Sequence, residues 1–172
     1  MFVVVVVILE KDEVEEVTAF CETIEGETGK GKAKWGKASY PRRLAYMSRI
    51  VTSGQFRHVL RFKVFPEKVD RDDATIKIIA RSIQWSESSA KYESRVYVDA
   101  LSKNKRHEYS AALRHLGVST DKVQGVRKDE NNALIRLADA LAGFICDVLG
   151  DDIEELIVLF RQANDNGVLI EV

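Results

Sequence analysis

The chain has 172 residues, 26 Lys and Arg against 27 Asp and Glu, and a net charge of −1. That length suits one domain over residues 1–172, and 45% hydrophobic with 31% charged residues excludes a disordered or low-complexity chain. Two cysteines far apart, Cys21 and Cys146, exclude a disulfide framework or a zinc knuckle and suit a reducing cytoplasm.

The apolar opening Met1–Leu9 has no basic start or small-residue cleavage site, and it is too short to span a bilayer as a helix. No membrane association is therefore expected. A short β-branched run reads as a strand buried on both faces, over residues 2–9. Residues 12–25 carry Val14, Val17, Cys21 and Ile24 on one stripe of an amphipathic helix. A Gly- and Lys-rich loop, 26–36, precedes a second helix opened by Pro41 and closed by Gly54. Alternation of Phe56, His58, Leu60, Phe62 and Val64 predicts a strand over 56–65 with His58 on its apolar face. Asp72 or Asp73 then caps a helix bearing Ile76, Ile79, Ala80 and Ile83.

Further on, a strand over 94–99 ends in Asp99, and a helix with Tyr109, Leu113 and Leu116 stops at Gly117. A strand over 122–127, an apolar helix over 132–149, a helix capped by Asp151 or Asp152 and a strand over 168–172 complete the pattern. Alternating strands and helices predict an α/β fold, a mixed, mostly parallel sheet flanked by helices.

Charge divides the chain unevenly. Lys30, Lys32, Lys34, Lys37, Arg42, Arg43, Arg49, Arg57, Arg61 and Lys63 follow one another without a single acid. The remaining 16 cations share the chain with all 27 acids, a net −11. Trp35, Tyr40, Tyr46, Phe56 and Phe62 are interleaved with these cations, as suits a surface that neutralises phosphates and stacks bases. DNA or RNA is thus one partner the segment could meet, through Lys30, Lys32, Lys34, Lys37, Arg42, Arg43, Arg57 and Arg61. The other reading pairs these cations with the acidic remainder, within the chain or between subunits. The run Gly26–Ala33 only approximates a phosphate-binding loop: Ala33 stands where a hydroxyl must hold magnesium, and the loop follows a helix.

Two carboxylates occupy unusual places. Asp99 ends a strand, the side on which α/β sheets hold ligands. Asp139 lies within a largely apolar helix, with Gly143 one turn away marking a place where something packs close. One reading brings Asp99, Asp139 and either Asp129 or Glu130 onto Mg²⁺ or Mn²⁺, hard ions that polarise a phosphodiester. The other makes Asp99 a helix cap and Asp139 an ion-pair partner of Arg136 or another cation.

The segments Tyr97–Ser102, Tyr109–Arg114, Val123–Val126 and Asn132–Gly143 resemble the domain-of-unknown-function family 3800 (DUF3800), regarded as ribonuclease-H-like. Leu137–Gly143 is similar to that family's helix signature, and the likeness is closest over residues 94–149. The resemblance implies a ribonuclease-H-like fold, acidic positions at Asp99 and Asp139, and Asp129 as a third. It also implies an acid in a first strand, whereas Phe2–Leu9 holds none and matches the family's second strand instead. Loss of a hard ligand weakens a metal site. The expectation is therefore a nucleic-acid-binding module with weakened or lost catalysis, the alternative a Mg²⁺- or Mn²⁺-dependent nuclease or phosphotransfer enzyme using Asp99 and Asp139. A sheet lacking one strand also implies a homodimer or a rearranged strand order.

Overall fold

The computed structural model describes residues 1–86, 92–127 and 132–172. The valine run forms β1 (Phe2–Val7), which pairs antiparallel with β2 (Leu60–Phe65) from Phe2↔Phe65 to Val7↔Leu60. β2 also pairs in parallel with β5 (Leu169–Glu171). A second sheet is the parallel pair of β3 (Ser94–Asp99) and β4 (Thr120–Val126). The fold is α/β as expected, but the single sheet is corrected to a three-stranded sheet, β1-β2-β5, and a two-stranded one, β3-β4. No pairing joins β1 to β3 among the described residues.

Among the described residues six helices follow the predicted order: α1 (Val14–Glu27), α2 (Tyr40–Thr52), α3 (Arg71–Ser86), α4 (Lys103–His115), α5 (Ala133–Gly150) and α6 (Glu154–Asp165). A 3₁₀ turn, Trp35–Lys37, interrupts the loop before α2. Among the described residues, no helix is long and apolar enough to cross a membrane. Alternate residues of a strand face opposite ways, so Leu60, Phe62 and Val64 pack with Val3, Val5 and Val7 into one apolar cluster. That cluster draws Cys21 and Ile24 from α1, Tyr46 and Ile50 from α2, Phe144 from α5 and Leu156 from α6. A second cluster joins Ile79 and Ile83 of α3 with Val96, Val123, Tyr109 and Leu113. α3 packs on β1, β2 and α4, and Val6 reaches the second cluster, so the two clusters meet at α3.

Three local expectations are corrected. β2 starts at Leu60, not Phe56, because His58 has φ 62° and donates its N–H to the Gly167 carbonyl at 2.8 Å. This left-handed residue ends the alternation, and His58 is exposed on a turn instead of lying on an apolar face. The cap of α3 is Asp70, whose Oδ1 accepts the N–H groups of Asp72 and Asp73 at 3.0 and 3.1 Å. Asp72 instead binds the Lys105 ammonium and, at 2.8 Å, the Tyr109 hydroxyl. Neither Asp151 nor Asp152 caps α6, which is preceded by Ile153 with no side-chain cap.

Candidate nucleic-acid interface

The site is built on one stripe of α5. Asp139, Gly143 and Asp147 recur every fourth residue and so lie one above another on a helix face. At Gly143 the helix backbone meets the Trp35 ring so closely that a Cβ would stand 2.5 Å from Cγ and Cδ1. Trp35 is 5% exposed and donates its Nε1–H to Asp147 Oδ2 at 2.7 Å. The same oxygen accepts from Arg43 Nη1 at 2.6 Å, and the Arg43 guanidinium lies 5.4 Å from the Trp35 ring centroid. Three interactions thus seat the 3₁₀ turn on α5, and the close packing read from Gly143 is contact with this indole.

Anchoring Trp35 places its neighbours. Lys34 and Lys37 line a cleft of about 540 Å³ with Arg71 of α3, Met1 to Val3 of β1, and Asp139, Ala142, Gly143 and Cys146 of α5. Burial raises the Cys146 thiol above its ordinary value, so it stays a protonated, apolar part of this lining. Lys34, Lys37, Arg71 and Asp139 are exposed. Three cations and one carboxylate therefore share one opening, floored by the backbone of a helix. Arg71 lies outside the acid-free run that drew attention in sequence. It extends the cationic surface from the loop onto α3, with its guanidinium 5.3 Å from the Phe2 ring centroid.

The other cations divide. Lys32 and Arg42 are exposed near the same loop, and the Arg42 side chain lies against Gly29. Arg57 is also exposed, but it follows the far end of α2, whose 13 residues span about 20 Å. Arg43 is half-buried against Asp147. Lys30 and Arg61 are each only 3% exposed, which removes them from any surface that could meet phosphates. Lys30 Nζ lies 3.9 Å from Glu25 Oε1 and 4.7 Å from the Tyr46 ring centroid. Burial lowers the pKa of Lys30, and the Glu25 charge only partly offsets this. Arg61 points from β2 with its Nε and Nη1 unpaired among the described residues, and its pKa too is lowered by burial.

Arg136 is held by Glu25 in a two-pronged pair, Nε to Oε1 at 2.8 Å and Nη2 to Oε2 at 2.7 Å. Glu22 Oε1 also lies 3.9 Å from Nη2, and the Glu25 hydrogen bonds raise the pKa of Arg136. Asp99 is exposed at the end of β3, and the cap of α4 is Ser102, not Asp99. Ala100 follows Asp99 with φ 53°, because the chain turns there to cross β4. Gly125 makes that crossing feasible, since a Cβ on it would fall 2.0 Å from the Leu101 carbonyl oxygen. Asp129 lies outside the described residues. Among the described residues no three His, Cys, Asp or Glu side chains converge as a metal site.

No family model, curated protein or solved structure matches this chain.

Proposed function

We propose that the protein is a ribonuclease-H-like nucleic-acid-binding module that takes a single strand of DNA or RNA across the cleft between the Trp35 turn and α5. One observation carries the reading: Lys34, Lys37 and Arg71, from two separate elements, open onto the same cleft. A run of phosphates is neutralised by cations spaced along a groove. The ribonuclease-H-like part of the proposal draws on the parallel β3-α4-β4-α5 unit, with Asp99 ending its first strand. Asp139, on the cleft wall, sets the polarity of the groove by repelling phosphates from that side.

Fluorescence anisotropy with short single-stranded DNA and RNA, titrated over a range of salt, tests the proposal. Binding should weaken steeply with salt, and replacing Lys34, Lys37 and Arg71 by Ala should flatten the log–log slope by about 2. Absence of binding at low salt, or an unchanged slope, would assign these cations to solubility. A cleavage assay with Mg²⁺ or Mn²⁺, run on the wild type and on Asp139→Asn, separates module from enzyme. Metal-dependent cleavage that Asp139→Asn abolishes would overturn the module in favour of a nuclease.

A further inference from the structure

One buried cation stands without a counter-charge. Arg61 is 3% exposed, and its Nε and Nη1 have no partner among the described residues. Lys30, as deeply buried, has Glu25 beside it, whereas among the described residues no charge offsets the burial of Arg61. A buried guanidinium is stable where an anion meets its donors, and leaving it unmet costs the fold stability. Ser82 of α3 is a second such group: it is 0% exposed, and its hydroxyl has no partner among the described residues.

The two groups lie at the same level of the fold. α3 begins over the Phe2–Phe65 pair, where Arg71 meets the Phe2 ring, and runs toward Val6, which packs with Ile79 and Ile83. Val6 is the partner of Arg61 across the β1–β2 ladder. Helical rise puts Ser82 about 16 Å along α3 from Arg71. Strand rise puts Arg61 about 14 Å along β2 from Phe65. A cleft adjoins both. Arg61, Lys63 and Phe65 alternate on one face of β2, and Lys63 and Phe65 line a cleft of about 300 Å³ with Lys77, Ile78, Arg81 and Leu116. Ser82 is one turn beyond Ile78, and Arg61 is one strand step, about 7 Å, beyond Lys63.

The cleft wall is mostly apolar, and among the described residues no carboxylate lines it. Its volume falls at the lower end of small-molecule sites, about 300–1,000 Å³. Lys63 and Lys77 are held by Glu171 and Asp73 at 3.0 and 2.7 Å, while Arg81 is exposed and has no ion pair among the described residues. From these positions we infer that the cleft between β2 and α3 binds a small organic carboxylate. Arg61 and Ser82 take the head group, and the apolar body lies against Phe65, Ile78 and Leu116. A guanidinium fits a planar carboxylate, and a serine hydroxyl donates to the same oxygens. The step from Lys63 to Arg61 calls for a body of several carbons, since a shorter acid would leave the apolar wall in water. A bare inorganic anion fits poorly, because that wall only strips its hydration. The inference does not depend on the nucleic-acid reading, whose surface excludes Arg61.

Octanoate is the probe, with 1-octanol and inorganic phosphate as comparisons, each followed by isothermal titration and amide NMR on the intact chain. Octanoate should bind with shifts at Lys63, Phe65, Ile78 and Ser82, and neither comparison should match its affinity. Arg61→Met should weaken octanoate about 10- to 100-fold through the lost charged hydrogen bonds, while the free protein melts at the same or a higher temperature. Ser82→Ala keeps the guanidinium and should weaken octanoate about 5-fold. No octanoate binding, equal binding of octanol or phosphate, or shifts confined to the cleft of Lys34 and Lys37 would overturn the site. So would full octanoate affinity in both variants, or an Arg61→Met protein that melts lower, since the guanidinium would then serve the fold and not a ligand.

Discussion

Replacing Gly143 by Ala tests whether the Trp35 turn is seated as described. On an isolated helix the change would stabilise by about 1 kcal/mol, since Gly is the weaker helix former. Here the new methyl would stand 2.5 Å from two indole atoms, so the ring must leave. Crowding of that kind costs about 1–3 kcal/mol. Displacing the ring also breaks the Nε1–H bond to the Asp147 carboxylate, a charged acceptor, at about 1.5 kcal/mol or more. The balance is a loss of about 2 kcal/mol, or a fall in Tm of about 4–8 °C for a chain this size. Urea unfolding should be followed in a Trp85→Phe background, because Trp85 is 62% exposed and would obscure Trp35. Native emission should shift to the red as Trp35 enters water, and the salt slope of nucleic-acid binding should fall with it as Lys34 and Lys37 lose their support. A Gly143→Ala protein about 1 kcal/mol more stable, with unshifted emission, would refute the packing that places the whole site.

Glu25→Gln leaves the buried Lys30 without its acid and loosens the two-pronged contact to Arg136, so stability should fall by about 3 kcal/mol in chemical denaturation, and a loss below 1 kcal/mol would refute the pairing. Gly125→Ala forces a methyl onto the Leu101 carbonyl; a loss of about 3 kcal/mol is expected, and normal stability would mean that β3 does not cross there. Burial, with the Glu25 charge adding, pushes the Cys21 thiol up from 9.0 to about 12. The folded chain then keeps a proton that the unfolded chain releases, so this contribution to stability is complete below pH 9.0 and is lost as pH rises toward 12. The stability difference between wild type and Cys21→Ala should therefore shrink above that pH, and parallel pH curves would refute it. In the native protein at pH 8, a thiol reagent should leave Cys21 unmodified, being 0% exposed.

Local periodicity made most elements legible. The valine run, the stripe of α1 and the long apolar α5 each satisfy a single period over their whole length. The start of β2 was not legible, because Phe56 and His58 continue an alternation that one left-handed residue breaks, and nothing in their side chains announces it. The split into two sheets was equally hidden: strand patterns report burial, not neighbours. Gly143 told of a close approach on α5 but not of its partner, which stands 108 positions earlier. The cationic run suggested a surface, yet Lys30 turned inward to Glu25 and Arg61 sank beneath the sheet, because charge order along a chain does not say which side faces the interior. Arg71 escaped notice for the opposite reason. It sits among acids in sequence and reaches the cleft only because α3 begins beside β1.

The seat of Trp35 on Asp147 spans 112 residues, and this bears on how the protein is made. During synthesis the cationic loop leaves the ribosome well before the helix that will hold it. At ordinary elongation rates that interval is about 6–20 s. Throughout it, Lys32, Lys34 and Lys37 belong to an unanchored polycation close to ribosomal RNA, with neither the carboxylate at Asp139 nor a fixed spacing to limit what they touch. The fixed spacing of these cations is acquired only when the last third of the chain arrives. On the proposed reading, a truncated or stalled product should bind polyanions without discrimination, and adhesion of nascent chains to RNA would then report incomplete folding.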